Sequence, residues 1–204
     1  HIAVQLTVLG SGSRGNATLL ANGAECLLID VGLSYKKVTQ HLRSLGVEPE
    51  SIHGILVTHS HMDHVKGVVR FVQRHPVPVY ATGSTFRSRI WESCVSSGME
   101  RVELRPDTKF DLCGLGFQAF TVPHDSAETL AFRVETPHGP IGFATDIGTM
   151  TPKLAGHFRD CVALVIESNH STEMLESGPY APWMKSRISG PQGHLSNEAL
   201  ADFI

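Results

Sequence analysis

His59-Ser60-His61-Met62-Asp63-His64 puts four metal-capable side chains within six positions. Just before it, Gly54-Ile55-Leu56-Val57-Thr58 is a short apolar run that reads as a buried strand. Just after it, Val65, Val68, Val69 and Val72 fall at helical spacing. The cluster therefore sits where a strand hands over to a helix. On extended backbone His59 and His61 project to the same side. Asp63 and His64 come at the turn into the helix and point to a second place nearby. Imidazoles and a carboxylate with no thiolate beside them suit Zn, Mn or Fe, not a structural Cys-rich zinc site.

One loop cannot close a dinuclear site, so the remaining ligands should come from other strand ends. His124 follows Phe120-Thr121-Val122-Pro123, Asp146 follows Ile141-Gly142-Phe143-Ala144-Thr145, and His194 precedes Leu195-Ser196. Alone, a His or Asp at a strand end is more often a cap or a surface residue. Together they complete a set: His59, His61 and His124 on one metal, Asp63, His64 and His194 on the other, and Asp146 bridging. Two divalent ions about 3.5–4 Å apart lower the pKa of a shared water toward neutrality and clamp the oxygens of the transition state. Zn is the default from the histidine content, with Mn and Fe as the alternatives.

Composition sets the outer bounds. The 204 residues fit one compact domain with a sizeable core, and 41% apolar with 18% charged residues is ordinary for a globular chain. No stretch approaches the roughly 20 apolar residues of a membrane span. The start, His1-Ile2-Ala3-Val4-Gln5-Leu6, lacks the basic-then-apolar pattern of a signal peptide. Cys26, Cys94, Cys113 and Cys161 are widely spaced and form no Cys-x-x-Cys pair, as expected of buried thiols in a reducing, cytoplasmic setting. A net charge of −3 gives no global attraction to nucleic acid, so any such binding needs a local patch.

Val4–Leu9, Ala17–Ala21 and Glu25–Val31 read as strands, the last two joined by a hairpin signal at Asn22-Gly23. Ser34 is placed to cap a helix carrying Val38, Leu42 and Leu45 that stops at Gly46. Val77–Ala81 reads as a strand and Ser84–Val95 as a helix. A β-rich stretch runs from Arg101 to Ala144, with a turn at Pro137–Pro140. Pro152–Phe158 is expected helical, Val162–Ile166 a buried strand, and Ser196 the cap of a last helix. Gly10-Ser11-Gly12-Ser13-Arg14-Gly15 matches the dinucleotide pattern, but Asn16-Ala17-Thr18-Leu19-Leu20 continues as a strand where that pattern needs a helix. The better reading is a glycine loop beside the metal site.

The ordered pattern His59-x-His61-x-Asp63-His64, His124, Asp146, His194 resembles the metallo-β-lactamase superfamily. The resemblance runs from about Val4 to the end and implies an α/β fold, a four-layer αβ/βα sandwich with two metals at the sheet edge. Ser11-Gly12-Ser13-Arg14-Gly15-Asn16, Val122-Pro123-His124-Asp125, Thr145-Asp146-Ile147-Gly148, Glu167-Ser168-Asn169-His170 and Gly193-His194-Leu195-Ser196-Asn197-Glu198 resemble the WalJ (YycJ)-type branch. That branch implies phosphodiester hydrolysis and 5′→3′ exonuclease action on double-stranded DNA, with DNA as the partner. It also implies further strands and a helix after Ile204, where this chain stops. The alternative reading is a hydrolase of a small ester, thioester or cyclic phosphodiester. A non-catalytic binding protein of this fold would usually show a broken ligand set, and this set is intact.

Asp63 and His170 are the catalytic candidates, Asp63 for the attacking water and His170 for the phosphoryl group or leaving oxygen. Substrate contacts are expected from Ser11, Ser13 and Asn16 as hydrogen-bond donors. Pro179–Gly193 reads as a loop that brings Trp183 for base stacking and Lys185 and Arg187 for phosphates. Lys66, Arg70 and Arg74 recur every four residues and read as a solvated helix face.

Overall fold

The structure is a computed structural model and describes residues 3–92 and 98–204. Its chain divides into two compact units, His1–Arg105 with Asp111–Leu115, and Pro106–Phe110 with Gly116–Ile204. Among the described residues no helix is long and apolar enough to cross a membrane.

In the first unit a six-stranded mixed sheet runs in the order β1 (Val4–Gly10), β2 (Ala17–Asn22), β3 (Glu25–Val31), β4 (Ile52–Leu56), β5 (Val79–Thr82), β6 (Arg101–Leu104). The first three strands are antiparallel neighbours, and β3 to β6 are parallel. Inner strands β2 and β3 are almost wholly buried, as both faces of a covered sheet require, whereas the edge strand β1 exposes Val8. The hairpin is displaced by one residue from the Asn22-Gly23 expectation. Asn22 pairs with Glu25, and the loop is Gly23-Ala24, with Gly23 supplying the positive φ of 65°.

Helix α1 (Tyr35–Ser44) begins at Ser34, whose hydroxyl accepts from Lys37 N–H, and it ends before Gly46. Val38 and Leu42 face the core, but Leu45 is exposed. The valine-rich helix after the histidine cluster is two helices, α2 (Met62–Val65) and α3 (Val68–Arg74). Tertiary bonds split it. The Asp63 carbonyl accepts from Asn16 N–H at 2.7 Å and the Gly67 N–H goes to the Val31 carbonyl at 2.7 Å, so the helical bond from Gly67 to Asp63 is replaced at both ends. Val65, Val68, Phe71 and Val72 still reach the core together with Leu28, Val31, Ile55 and Trp91. The expected helix from Ser84 is short, α4 (Gly83–Phe86), and its residues 93–95 lie outside the described residues.

A second mixed sheet has the order β11 (Ala163–Ile166), β10 (Ile141–Ala144), β9 (Thr129–Glu135), β8 (Leu115–Val122), β7 (Thr108–Leu112). Strands β8, β9 and β10 are antiparallel in turn, and β10 and β11 are parallel. Phe120, Val122, Ala131, Ala144, Ile147, Leu154 and Phe158 form a core there, and Phe120 stacks on His157. Strand β11 was expected to be buried; as an edge strand it is only partly so, and Val162 just before it is exposed. The helices are α5 (Pro152–His157), α6 (Thr172–Ser177), α7 (Pro182–Ser189) and α8 (Asn197–Phe203). Most of the expected Pro179–Gly193 loop is therefore helix. Pro182 at its first position and Gly190 at its end were the signals for it.

Candidate metal centre

Parallel strands deliver the chemistry in pairs. In the first unit β3 and β4 run side by side with Ile29 opposite Leu56, so Asp30 and the Val57-Thr58-His59 segment leave adjacent strand ends. That is where ligands gather in open α/β sheets. Between Ala17 and Thr18 the register of β2 against β3 shifts, Val31 pairing with Ala17 and Ile29 with Thr18. Asp30 is the extra residue of this bulge and adopts a φ of 60°, which aspartate tolerates. The bulge turns its side chain, 1% exposed, toward Thr58.

Asp30 then organises the histidines. Oδ1 accepts from Thr58 N–H at 2.8 Å, and Oδ2 accepts from the Thr58 hydroxyl at 2.7 Å and from His64 Nδ1 at 2.7 Å. The Thr58 oxygen lies 3.0 Å from His59 Nδ1 and receives that proton. The network so assigns both imidazoles the Nδ1–H tautomer, which makes Nε2 the lone-pair nitrogen of each ring. His59 sits between its partners, its ring centroid 4.6 Å from His61 and 4.1 Å from His64. Asp63 Oδ2 is 3.6 Å from His64 Nε2. The Asn16 amide donates to Asp63 Oδ2 at 3.2 Å and approaches His64 Nε2 at 3.0 Å. Gly32 allows this packing, because a Cβ there would run into the Asp63 carbonyl. The glycine loop is thus built against the cluster through Asn16, while Ser11 and Ser13 are exposed in it.

The second unit repeats the device. Ala144 pairs with Ile166 in the parallel β10–β11 ladder, so Asp146 and Glu167 leave neighbouring strand ends. His124, Asp146 and His194 each bring one ligand atom, all within 4.8 Å of one another. Glu167, 8% exposed, holds this half together. Oε1 takes His194 Nδ1 at 2.6 Å and the Asn169 amide at 3.1 Å, and Oε2 takes the N–H groups of Ile147 and Leu195 at 2.9 and 3.2 Å. The hydrogen bond to Glu167 lifts His194 above the ordinary histidine range, against the lowering effect of burial and with help from Asp146 and Asp125. His124 Nδ1 donates to the Gly193 carbonyl at 2.9 Å, so its Nε2 is the ligand atom. Buried imidazoles oriented from behind by carboxylate or carbonyl, beside a buried carboxylate, are a donor set suited to divalent metal.

The remaining predicted residues have definite places. His170 pairs its backbone with Ser196, two residues beyond His194, and its Nδ1 is buried with no hydrogen-bond partner among the described residues. The helix cap that follows is Ser171, not His170. Trp183 is 64% exposed on α7. Lys185 Nζ donates to the Glu176 carbonyl, and Arg187 binds Asp125 Oδ2 through Nε at 2.7 Å and Nη2 at 2.6 Å. Sequence reasoning gave no role to Asp30 or Glu167. The available signal was a lone carboxylate in or just after an apolar run, which needs a partner once buried.

Two mixed sheets, each with a parallel strand pair whose ends bring a buried carboxylate to a cluster of histidines, define the class as a metallo-β-lactamase-type α/β fold. The chain belongs to that superfamily, since the family described as the beta-lactamase superfamily domain matches residues 25–204. It is 33% identical over 202 residues to exodeoxyribonuclease WalJ of Streptococcus pneumoniae serotype 2 (strain D39 / NCTC 7466), covering 97% of this chain and 74% of that protein. Exodeoxyribonuclease YycJ of Bacillus anthracis is 33% identical over 218 residues, covering 100% of this chain and 78% of that protein. The crystal structure of Zn(2+)-bound PqqB from Methylobacterium extorquens shares the fold with a TM-score of 0.73 at 18% identity, covering 94% of this chain and 80% of that one.

Proposed function

We propose that this protein is a metal-dependent phosphodiester hydrolase, acting as a 5′→3′ exonuclease on double-stranded DNA in the cytoplasm. The observation that carries the reading is the pair of carboxylate–histidine contacts, Asp30 to His64 and Glu167 to His194, which orient imidazoles as metal-binding histidines are oriented. Likeness to the two exodeoxyribonucleases over nearly the whole chain supports the substrate. The described cysteines, Cys26, Cys113 and Cys161, are free thiols, which supports the compartment.

In this reading the protein would hold two divalent ions, Zn by default and Mn or Fe as alternatives. His59, His61 and His124 would hold one, Asp63, His64 and His194 the other, and Asp146 would serve both. When bound, the ions supply a water ionised near neutral pH and the positive charge that stabilises a pentavalent phosphoryl group. Asp63 orients the attacking water or takes its proton while ligating, with Oδ2 accepting from the Asn16 amide. His170 steadies the phosphoryl group or returns a proton to the leaving oxygen through Nε2. Ser11, Ser13 and Asn16 supply hydrogen bonds to the substrate, and Trp183, Lys185 and Arg187 engage the polymer. For Arg187 this means exchanging or sharing Asp125.

The test is an assay on duplexes labelled separately at the 5′ and 3′ ends, with protein reconstituted in Zn or Mn. Elemental analysis should approach two equivalents per chain, and Asp146→Ala should lose at least one equivalent together with duplex digestion. A full metal complement in that variant ends the bridging role. Turnover of a small thioester with no attack on duplex ends replaces the nuclease reading.

A further inference from the structure

Lys37, Gln40, His41 and Ser44 stand at i, i+3, i+4 and i+7 of α1 and share one exposed face, opposite the buried Val38 and Leu42. A polar outer face on a helix is ordinary. This one also forms part of the wall of a surface cleft. Together with Ser11 and Arg14 of the glycine loop it lines a cleft of about 420 Å³, within the range of small-molecule pockets. Among the described residues every ionisable side chain lining the cleft is basic, namely Arg14, Lys37 and His41. On a chain of net charge −3, that is a local concentration of one sign. Ser11, Gln40 and Ser44 add neutral donors. The cleft also adjoins the first metal half-site through the chain itself. Gly15 lines it, and the next residue, Asn16, holds the Asp63 carbonyl and carboxylate.

We infer that this cleft is a phosphate-binding subsite that grips the sugar–phosphate backbone of a polynucleotide next to the reacting diester. The inference rests on the nuclease reading above. Arg14 offers a planar fork to two phosphate oxygens, Lys37 a point charge, and the serines and Gln40 hydrogen bonds. The contact carries no base information, so it serves any sequence, as an exonuclease requires. A lipid or acyl ligand would need an apolar wall, and among the described residues Leu33 is the one large apolar side chain lining the cleft.

The test compares Arg14→Gln/Lys37→Gln with Arg43→Gln in the metal-loaded protein. Arg43 is a cation of the same helix that lies outside the cleft, paired with Glu48. All three are exposed, so the substitutions spare the core. Binding is read by anisotropy on a fluorescent duplex with phosphorothioate ends. The double variant should raise Kd about tenfold or more and flatten the slope of log K against log salt by roughly 1–2, one for each phosphate contact removed. Arg43→Gln should change Kd less than twofold. Hydrolysis of a small nitrophenyl phosphodiester should fall far less than duplex digestion. Equal Kd values for double variant and wild type overturn the subsite and make the cleft a solvated helix face. Equal loss on the small diester also overturns it, because the substitutions then act through Asn16 on the metal site. Should the wild type ignore DNA, the nuclease reading fails, and titration with inorganic phosphate decides the cleft separately. Phosphate bound by wild type and lost in the double variant keeps the subsite; no phosphate bound by either removes it.

Discussion

Glu167 satisfies four donors from three segments of the chain, so its two oxygens are not interchangeable. Glu167→Gln would turn an amide NH2 toward either His194 or two backbone N–H groups, setting donor against donor. The cost should appear in metal affinity, by about 10–100-fold, the usual effect of removing a group that orients a ligand. His170→Ala should behave in the opposite way. It should keep both metals and its fold yet lose roughly 10²-fold in kcat on DNA, the scale of one acid or one charge-stabilising donor. Titrating both variants with Zn and assaying them loaded separates the roles. Unchanged Zn affinity in the first variant, or near-normal turnover by the second, removes the role assigned to it. At this scale the ligand types were legible, because histidines and carboxylates at strand ends announce themselves. The residues behind them were not. Asp30 sits in the run Cys26–Val31 and looks like an interruption of a strand. Its partner, Thr58, is 28 residues away, and no local pattern links them.

The elements matter through their ends. Strands β3 with β4 and β10 with β11 are parallel pairs; the first sets Asp30 beside the segment that carries His64, and the second sets Glu167 beside Asp146 and within reach of His194. The break between α2 and α3 belongs to the same construction. Gly67 sits against the Leu33 carbonyl with no room for a Cβ, and its N–H is tied to Val31. Gly67→Ala must push α2 away from the turn after β3, carrying Asp63 and His64 with it. The expected result is loss of about 1–3 kcal/mol of stability, as for other overpacked sites, and weaker binding of the metal on Asp63 and His64. Denaturant unfolding and metal titration check the two parts, and wild-type stability in the variant would show that the turn can yield. Periodicity could not reveal this break. Val65, Val68, Val69 and Val72 satisfy one continuous helical face, and the diverted hydrogen bonds come from Asn16 and Val31, far off in sequence. Pattern also overrated β11, since an apolar run does not say whether a strand is central or at an edge.

For the molecule as a whole, a metal bound by the proposed ligands should act on folding as well as on chemistry. A ligand that binds only the native state stabilises it by about 2.7 kcal/mol at a hundredfold excess over Kd. For a chain of this size that corresponds to roughly 5–10 °C in Tm. Chelator in excess should therefore lower the calorimetric Tm by about that amount, and Zn should restore it. An unchanged Tm in protein shown by elemental analysis to be stripped would mean that the framework holds the ligands unaided. The overall α/β class was readable from residue order, but the division into units was not, because the sequence has no linker to mark it. The two tryptophans add a practical consequence. Trp91 is sealed in the first unit's core at 1% exposure, while Trp183 stands on α7 at 64%. An aqueous quencher reaches one indole and not the other, so the protein carries an optical gauge of its α7 surface alongside an internal reference that responds only when the core opens.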